Sequence, residues 1–505
     1  MSQPRDPTTI EAVDPLAGLE YSYAGLPEHF YARVEPTPVA TPELLRLNVP
    51  LCRSLGLDPE HLAAPEGVAA LAGNRIPPGG EPLAMAYAGH QFGGFVPSLG
   101  DGRAVLLGEI IAPDGTRHDL HLKGAGRTPF SRAGDGRAPL GPVVREYIVS
   151  EAMAGLGIPT TRALAMVTTG ERVYRERPEP GAVLARTATS HVRVGTFEYF
   201  YRRGDAASVR KLADYVIDRH YPHCREASNP YNALLDEVVA GQAGLIAKWM
   251  LVGFIHGVMN TDNMSVAAQT IDYGPCAFMD TYRSDAVYSS IDWGGRYAYD
   301  SQPRIGFWNL ARFAECLLGL LDGDAEKAKA SARQSLEAFA TRFEAAFHGG
   351  MCAKVGLDES RAENTELAFD LLDRMARQEA DFTNTFRALC ADAAGPRDKA
   401  AARLEFADPA VFDEWAAKWR RHLDEQRRRS GRDAASTMRS VNPAHIPRNH
   451  RVQQVIDAIE RDRDLQPLEE LLTVVSRPFD AHPGLEDLAR PPRPEEVVAR
   501  TFCGT

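Results

Sequence analysis

The chain has 505 residues and a formal net charge of −11, from 57 Lys and Arg against 68 Asp and Glu. That acidic balance excludes a nucleic-acid binder working through a broad basic face, because phosphate backbones need a positive surface. Hydrophobic residues at 44% and charged residues at 25% are ordinary for a soluble globular chain, and the length asks for roughly two to four domain-sized units. Seven cysteines, at 52, 224, 276, 316, 352, 390 and 503, form no C-x-x-C pair, so a structural zinc site is not expected and a reducing compartment is. Met1 to Glu20 lacks the apolar core of a signal peptide, and the longest apolar stretch, Ala243 to Met259, is interrupted by Lys248 and His256. A cytoplasmic protein that does not enter a membrane is expected.

Residues 1–80 are Pro-rich and read as irregular, with one short helix near Thr41 to Leu55. A Gly-dense stretch follows, Tyr87-Ala88-Gly89-His90-Gln91-Phe92-Gly93 and then Leu99-Gly100-Asp101-Gly102-Arg103. The apolar run Ala104 to Ile111, the turn at Pro113-Asp114-Gly115 and the alternating run Asp119 to Lys123 predict a hairpin. After a second Gly-rich loop, Gly124 to Gly141, Pro142 opens an amphipathic helix that Gly155 and Gly157 close. Three strands are predicted next, at Thr161–Val167, Glu171–Arg175 and Ala182–Thr189. Beyond Arg202 the apolar spacing is helical, at Val209–Tyr221, Pro230–Phe254, Trp308–Leu321, Ala325–Phe347, Glu366–Ala376 and Pro409–Arg429. Asp424 and Glu425 interrupt the basic run of that last helix, which reads as a solvated face. The Pro-rich segment Pro491 to Thr505 reads as a tail. The expected class is α+β, divided into an N-terminal extension (1–85), a mostly β nucleotide lobe (86–203), a helical lobe (204–350) and a helical C-terminal extension with a tail (351–505).

The stretch Phe254-Ile255-His256-Gly257-Val258-Met259-Asn260-Thr261-Asp262-Asn263, followed by Ile271-Asp272-Tyr273-Gly274, carries the most chemistry. It has the layout of a protein-kinase catalytic loop and metal loop, H-R-D-L-x-x-x-N and then D-x-G. Asn263 stands seven residues after His256, and Asp272 nine residues further on. At the usual position of the base, however, stands Val258, which cannot accept a proton. Asp262 is the replacement candidate: either it accepts the proton of an attacking hydroxyl, or it caps the loop and leaves a silent nucleotide-binding module. Asn263 and Asp272 offer the hard oxygens that Mg²⁺ prefers, although turn residues also look like this.

Lys123 ends a strand 23 residues before Glu146 on the following helix, the order in which kinase-like folds place a phosphate-binding Lys and the Glu that orients it. Neither standard phosphate loop occurs. In its place stand Gly100-Asp101-Gly102-Arg103 and Gly134-Asp135-Gly136-Arg137, which offer backbone N–H groups and a guanidinium to an anion, or serve only as turns. Arg186 and Arg193 lie where a kinase reads adenine; arginines there suit phosphates better and would turn the nucleotide end for end.

Together these stretches resemble the selenoprotein O family of protein adenylyltransferases, also called the YdiU family. Further matching segments are Leu122 to Arg132, Gly134-Asp135-Gly136-Arg137-Ala138, His256 to Ser265, Asp272-Tyr273-Gly274-Pro275, Asn442-Pro443-Ala444-His445-Ile446-Pro447-Arg448-Asn449-His450 and Phe502-Cys503-Gly504-Thr505, so the similarity spans most of residues 85–505. The resemblance implies a kinase-like two-lobed fold that binds ATP inverted and transfers AMP to Ser, Thr or Tyr hydroxyls of proteins, releasing pyrophosphate; some members transfer UMP. It implies that Gly100, Gly102, Arg103, Lys123, Asp135, Gly136, Arg186 and Arg193 bind ATP, that Asn263 and Asp272 hold Mg²⁺ or Mn²⁺, that Asp262 accepts the proton, and that Glu146 pairs with Lys123. The expected partners are ATP and protein acceptors, and the expected state is a monomer. The competing classes are a phosphotransferase using the same residues and the silent module. In the family a C-terminal Cys or selenocysteine pairs with a Cys in the loop after Asp-Tyr-Gly-Pro. Here that loop, Thr281 to Tyr297, has none, and Cys276 is either the substitute partner of Cys503 or a small buried apolar side chain.

Overall fold

The computed structural model describes residues 14–395, 400–431 and 433–502, and the chain within them divides into two compact units. The first gathers the chain up to Ala86 with Gly100–Val143 and Arg162–Thr189; the second takes Tyr87–Leu99, Val144–Thr161 and everything from Ser190 onward. One unit is built on an antiparallel sheet and the other mainly on helices, so the class is α+β.

In the first unit, β1 (Tyr31–Arg33), β2 (Glu43–Leu47), the short helices α1 (Val49–Ser54), α2 (Pro59–Ala63) and α3 (Pro65–Ala72), and β3 (Leu83–Met85) come from the stretch expected to be irregular. The single helix expected at Thr41–Leu55 is a strand and then a helix. Leu44 and Leu47 pair with Val167 and Ala165, and Asn48 then caps α1 by accepting from the Leu51 N–H. The next strands, β4 (Gly89–Gln91) and β5 (Gly94–Val96), form a hairpin of the second unit. β6 (Ala104–Ile111), β7 (Arg117–Lys123) and β8 (Ala138–Pro139) return to the first unit; helix α4 (Leu140–Gly155) then leads to β9 (Arg162–Tyr174) and β10 (Pro178–Ala188). The sheet order is β1-β3-β6-β7-β10-β9-β2, with β8 on β10. The predicted hairpin is β6 and β7, but the first two of the three strands predicted after it are one. At Gly170 the backbone takes φ of +72° against Thr41, a bulge that only glycine tolerates there, and pairing resumes beyond it. Leu47, Leu51, Leu71, Leu107, Leu120, Leu122, Leu164 and Val183 are among the side chains that form the core on this sheet.

The second unit continues with α5 (Val194–Tyr201), α6 (Ala206–His220), α7 (Pro230–Leu251), the short strands β11 (Phe254–Ile255) and β12 (Ala277–Phe278), α8 (Gln302–Leu321) and α9 (Ala325–Lys354). It ends with α10 (Ala362–Gln378), α11 (Phe382–Asp392), α12 (Pro409–Ser430), α13 (Ala434–Val441), α14 (Asn449–Asp462) and α15 (Gln466–Val475). Asn229 caps α7 through the N–H groups of Tyr231 and Asn232, and the buried face of α7, including Leu234, Val238, Leu245 and Trp249, packs against α8 and α9. The helix stops at Leu251, short of the expected Phe254, because Gly253 turns the chain and Phe254–Ile255 pairs with Ala277–Phe278. The segment read as a tail is tied down in its described part: Thr501 is buried, its backbone pairs with Tyr288 and Ser290, and its hydroxyl donates to the Pro275 carbonyl at 2.6 Å. Among the described residues no helix is long and apolar enough to cross a membrane.

Candidate active site

The loop between β11 and β12 carries Asp262, Asn263 and Asp272. The pair β11–β12 closes its base, and His256 closes it again from within. The buried imidazole donates from Nε2 to the Ile271 carbonyl at 3.0 Å, while Nδ1 faces the Val258 N–H at 3.4 Å. Burial holds this histidine below its ordinary pKa, consistent with a neutral ring that spans the loop just before Asp272. Helices α7 and α8 add side-chain ties, from Gln242 to the Ser265 carbonyl at 2.7 Å, from Asn309 to the Met259 carbonyl at 2.9 Å and from Trp249 to the Thr270 hydroxyl at 2.8 Å. The Tyr273 hydroxyl bonds Thr160. Asp272 itself sits at φ of +62°, a conformation costly for a residue with a Cβ and typical of functional positions.

Asp262 is 7% exposed, on a single 3-10 turn of Thr261–Asn263. Its Oδ2 accepts from Gln91 Nε2 at 3.3 Å, and its Oδ1 is buried with no hydrogen-bond partner among the described residues. Burial pushes its pKa up to about 6, against the opposing pull of Arg193 and Gln91. Arg193 lies 3.4 Å from Asp272 Oδ2 and 4.3 Å above the Tyr87 ring; its backbone bridges Ser265. Asn263 spends its amide nitrogen on the Val258 carbonyl at 2.9 Å, which leaves the amide oxygen as the atom that could hold a metal. Two oxygen ligands of this kind, completed by substrate phosphates and water, fit Mg²⁺ or Mn²⁺. Among the described residues no group of three or more His, Cys, Asp or Glu forms a separate metal cage.

The first unit places Lys123 at the end of β7, paired across to Ala104 and Leu184 on either side. Arg186 on β10 faces His121 in register, and its guanidinium lies 3.2 Å from His121 Nδ1. His121 Nε2 in turn lies 3.2 Å from Asp101 Oδ2, which also accepts from the Met85 N–H at 3.0 Å. This buried relay ties Arg186 to the loop of Gly100, Gly102 and Arg103. A Cβ on Gly100 would fall 2.2 Å from the Phe130 ring, and one on Gly136, at φ of +71°, 2.1 Å from the Gly126 carbonyl. Both loops therefore need their glycines for close backbone approach. Asp135 caps the Arg137 N–H and pairs with Arg175 at 2.8 Å, which holds its carboxyl below the usual range. Glu146 belongs to the second unit, buried on α4.

The Tyr87–Gly93 string carries no local motif that announces a role. It surrounds the Asp262 turn: the His90 N–H donates to Thr261 Oγ1 at 2.7 Å and the Phe92 N–H to Asn260 Oδ1 at 3.1 Å. His90 Nδ1 also meets Glu198 Oε1 at 2.5 Å, and Thr261 donates to Glu198 Oε2. Burial drives Glu198 up to about 7 and His90 down to about 4, so both favour an uncharged acid donating to a neutral imidazole. The Asn442–His450 segment is structural. Fully buried Arg448 bridges Asp280 and Asp381 at 2.5 and 2.8 Å, and Asn449 donates to the Phe278 carbonyl at 3.0 Å, bracing the chain after β12. Cys276 is completely buried against the Tyr273 carbonyl; Cys503 lies outside the described residues.

The family model for the protein adenylyltransferase SelO matches residues 16–476. A protein nucleotidyltransferase YdiU from Rhodopseudomonas palustris (strain HaA2) is 58% identical over 485 residues, covering 96% of this chain and 98% of its own. Proteins of the same name from Bradyrhizobium sp. (strain ORS 278) and from Methylorubrum extorquens are 58% and 57% identical, each with 96% of this chain and 98% of their own covered. The chain therefore belongs to the SelO family of protein adenylyltransferases and is a nucleotidyltransferase.

Proposed function

We propose that the protein transfers AMP from ATP to Ser, Thr or Tyr hydroxyls of other proteins, with UTP as a second donor, of UMP. The observation that carries this reading is Asp262: a buried carboxylate with one oxygen held and the other without a partner, next in sequence to a metal-binding type of residue. In the proposed reaction that carboxylate takes the proton of the acceptor hydroxyl as its oxygen bonds the α-phosphorus. The bond from the α-phosphorus to the bridging oxygen breaks, and pyrophosphate leaves with the electron pair. Lys123, Arg103, Arg186 and Arg193 supply fixed positive charge to the phosphates, the glycines 100, 102 and 136 supply backbone N–H groups, Asp135 steadies its loop, and Glu146 serves as an orienting carboxylate. A divalent cation, Mg²⁺ or Mn²⁺, held by Asn263 and Asp272, neutralises phosphate charge when bound.

The same proposal includes a kinase-like two-lobed fold with the nucleotide reversed, the division at about residues 85, 203 and 350 read from the sequence, and a monomer working in the cytoplasm. The test is incubation with acceptor proteins, Mg²⁺ or Mn²⁺, and ATP labelled at either its α- or its γ-phosphate. The α label alone should appear on protein, and an Asp262→Asn variant should reduce its transfer by about 10²–10⁴-fold. Label arriving only from the γ position would make the protein a phosphotransferase. ATP binding with neither label transferred would make it a silent module.

A further inference from the structure

Tyr87–Leu99 is flanked on both sides by chain of the first unit yet belongs to the second, where β4, paired with β5, meets the Thr261–Asn263 turn and α5. Its consecutive residues His90, Gln91 and Phe92 bond Thr261, Asp262 and Asn260 in turn, at 2.7, 3.3 and 3.1 Å. Tyr297 fixes the far edge, donating to Asn260 Oδ1 at 2.6 Å and accepting from the Phe92 N–H at 3.2 Å. The near edge is the buried Glu198–His90–Thr261 cluster. Gly89 passes so close that a Cβ there would stand 2.3 Å from Asp262 Oδ1. The hairpin thus fixes one carboxylate oxygen, and only glycine fits beside the other.

We propose that Gln91 is a positioning residue for nucleotidyl transfer: its amide donates to Asp262 Oδ2 and so fixes the rotation of the carboxylate that takes the acceptor proton. The hairpin bonds to Asn260 and Thr261 keep Gln91 itself in place. This rests on the reading of Asp262 as proton acceptor. A carboxylate free to rotate about χ2 would spend most of its time misaligned, and misplacement of about an ångström costs on the order of 10²-fold in rate.

The test is a double-mutant cycle of Gln91→Leu with Asp262→Asn in the full chain, read by kcat, KM for ATP and melting temperature. Gln91→Leu should lower kcat by about 10- to 100-fold with KM for ATP and melting temperature unchanged, and should cost nothing further in the Asp262→Asn background. Gln91→Met serves as a second variant if the first does not fold. Wild-type kcat in the Gln91 variants beside an impaired Asp262→Asn would overturn the positioning role and leave the proton acceptor standing. Additive losses in the double variant would also overturn it. Full activity in Asp262→Asn would remove the acceptor reading itself, and this inference with it.

Discussion

Gly89 and Asp262 sit where two backbones cannot both carry a side chain. With a Cβ at position 89 only 2.3 Å from Asp262 Oδ1, Gly89→Ala must push the carboxylate aside by about an ångström. The expected result is a fall in kcat of about 10²-fold with ATP binding and melting temperature near wild type; a Gly89→Ala enzyme at full rate would show that the carboxylate's present position is not the working one. At this scale the gathering of Asp262, Asn263 and Asp272 on one loop was legible in the sequence, because they are close along the chain and their spacing is itself the signal. The support was not. Gln91 and Asp262 are 171 positions apart, and no local pattern announces which oxygen an amide will hold. Arg186 shows the same limit: its place at a strand end was readable, while the His121–Asp101 relay behind it depends on strand register.

Among the elements, the departures from what the sequence predicts trace to contacts that arrive from far away. Gly170 looks like a strand break, yet β9 runs through it because β10 pairs with it both before and after the bulge, while β2 pairs only up to Thr168. The Glu43–Leu47 stretch has no strong alternation and becomes a strand by pairing with β9. The Pro-rich end lacks any pattern, since its order comes from Thr501, which accepts from the Ser290 N–H at 3.0 Å and donates to Pro275. Removing residues 498–505 should therefore speed hydrogen exchange at the Ser290 amide by about 2- to 10-fold, the worth of one net hydrogen bond, while α7 amides keep their protection. Unchanged exchange at Ser290 would mean that the segment adds no stability to the loop after Asp272.

For the whole molecule, one buried charge should register in the pH dependence of stability. Lys354 is buried beneath Phe386, 4.3 Å from the ring, and donates to Asn442 at 2.9 Å; burial lowers its pKa from 10.5 to about 7. Between pH 7 and 10.5 the unfolded chain then holds a proton that the folded chain has lost, so stability rises with pH across that window, and below it the full cost of burying the charge applies. Lys354→Met should melt higher than wild type near neutrality, with the gap narrowing as the solution becomes alkaline. A gap that stays constant would mean the ammonium remains charged inside the fold. Composition and periodicity fixed the α+β class, but not the path of the chain between its two units.

That path changes unit after residues 86, 99, 143, 161 and 189. Everything the sheet-bearing half requires has been synthesised once Thr189 has left the ribosome, so this half can condense early. The His90–Gln91–Phe92 strip must instead wait, unmatched, until the 260s emerge. A gene cut at any single point would consequently deliver fragments that lack pieces of one half or the other, and complementation, rather than simple truncation, is the way to take this protein apart.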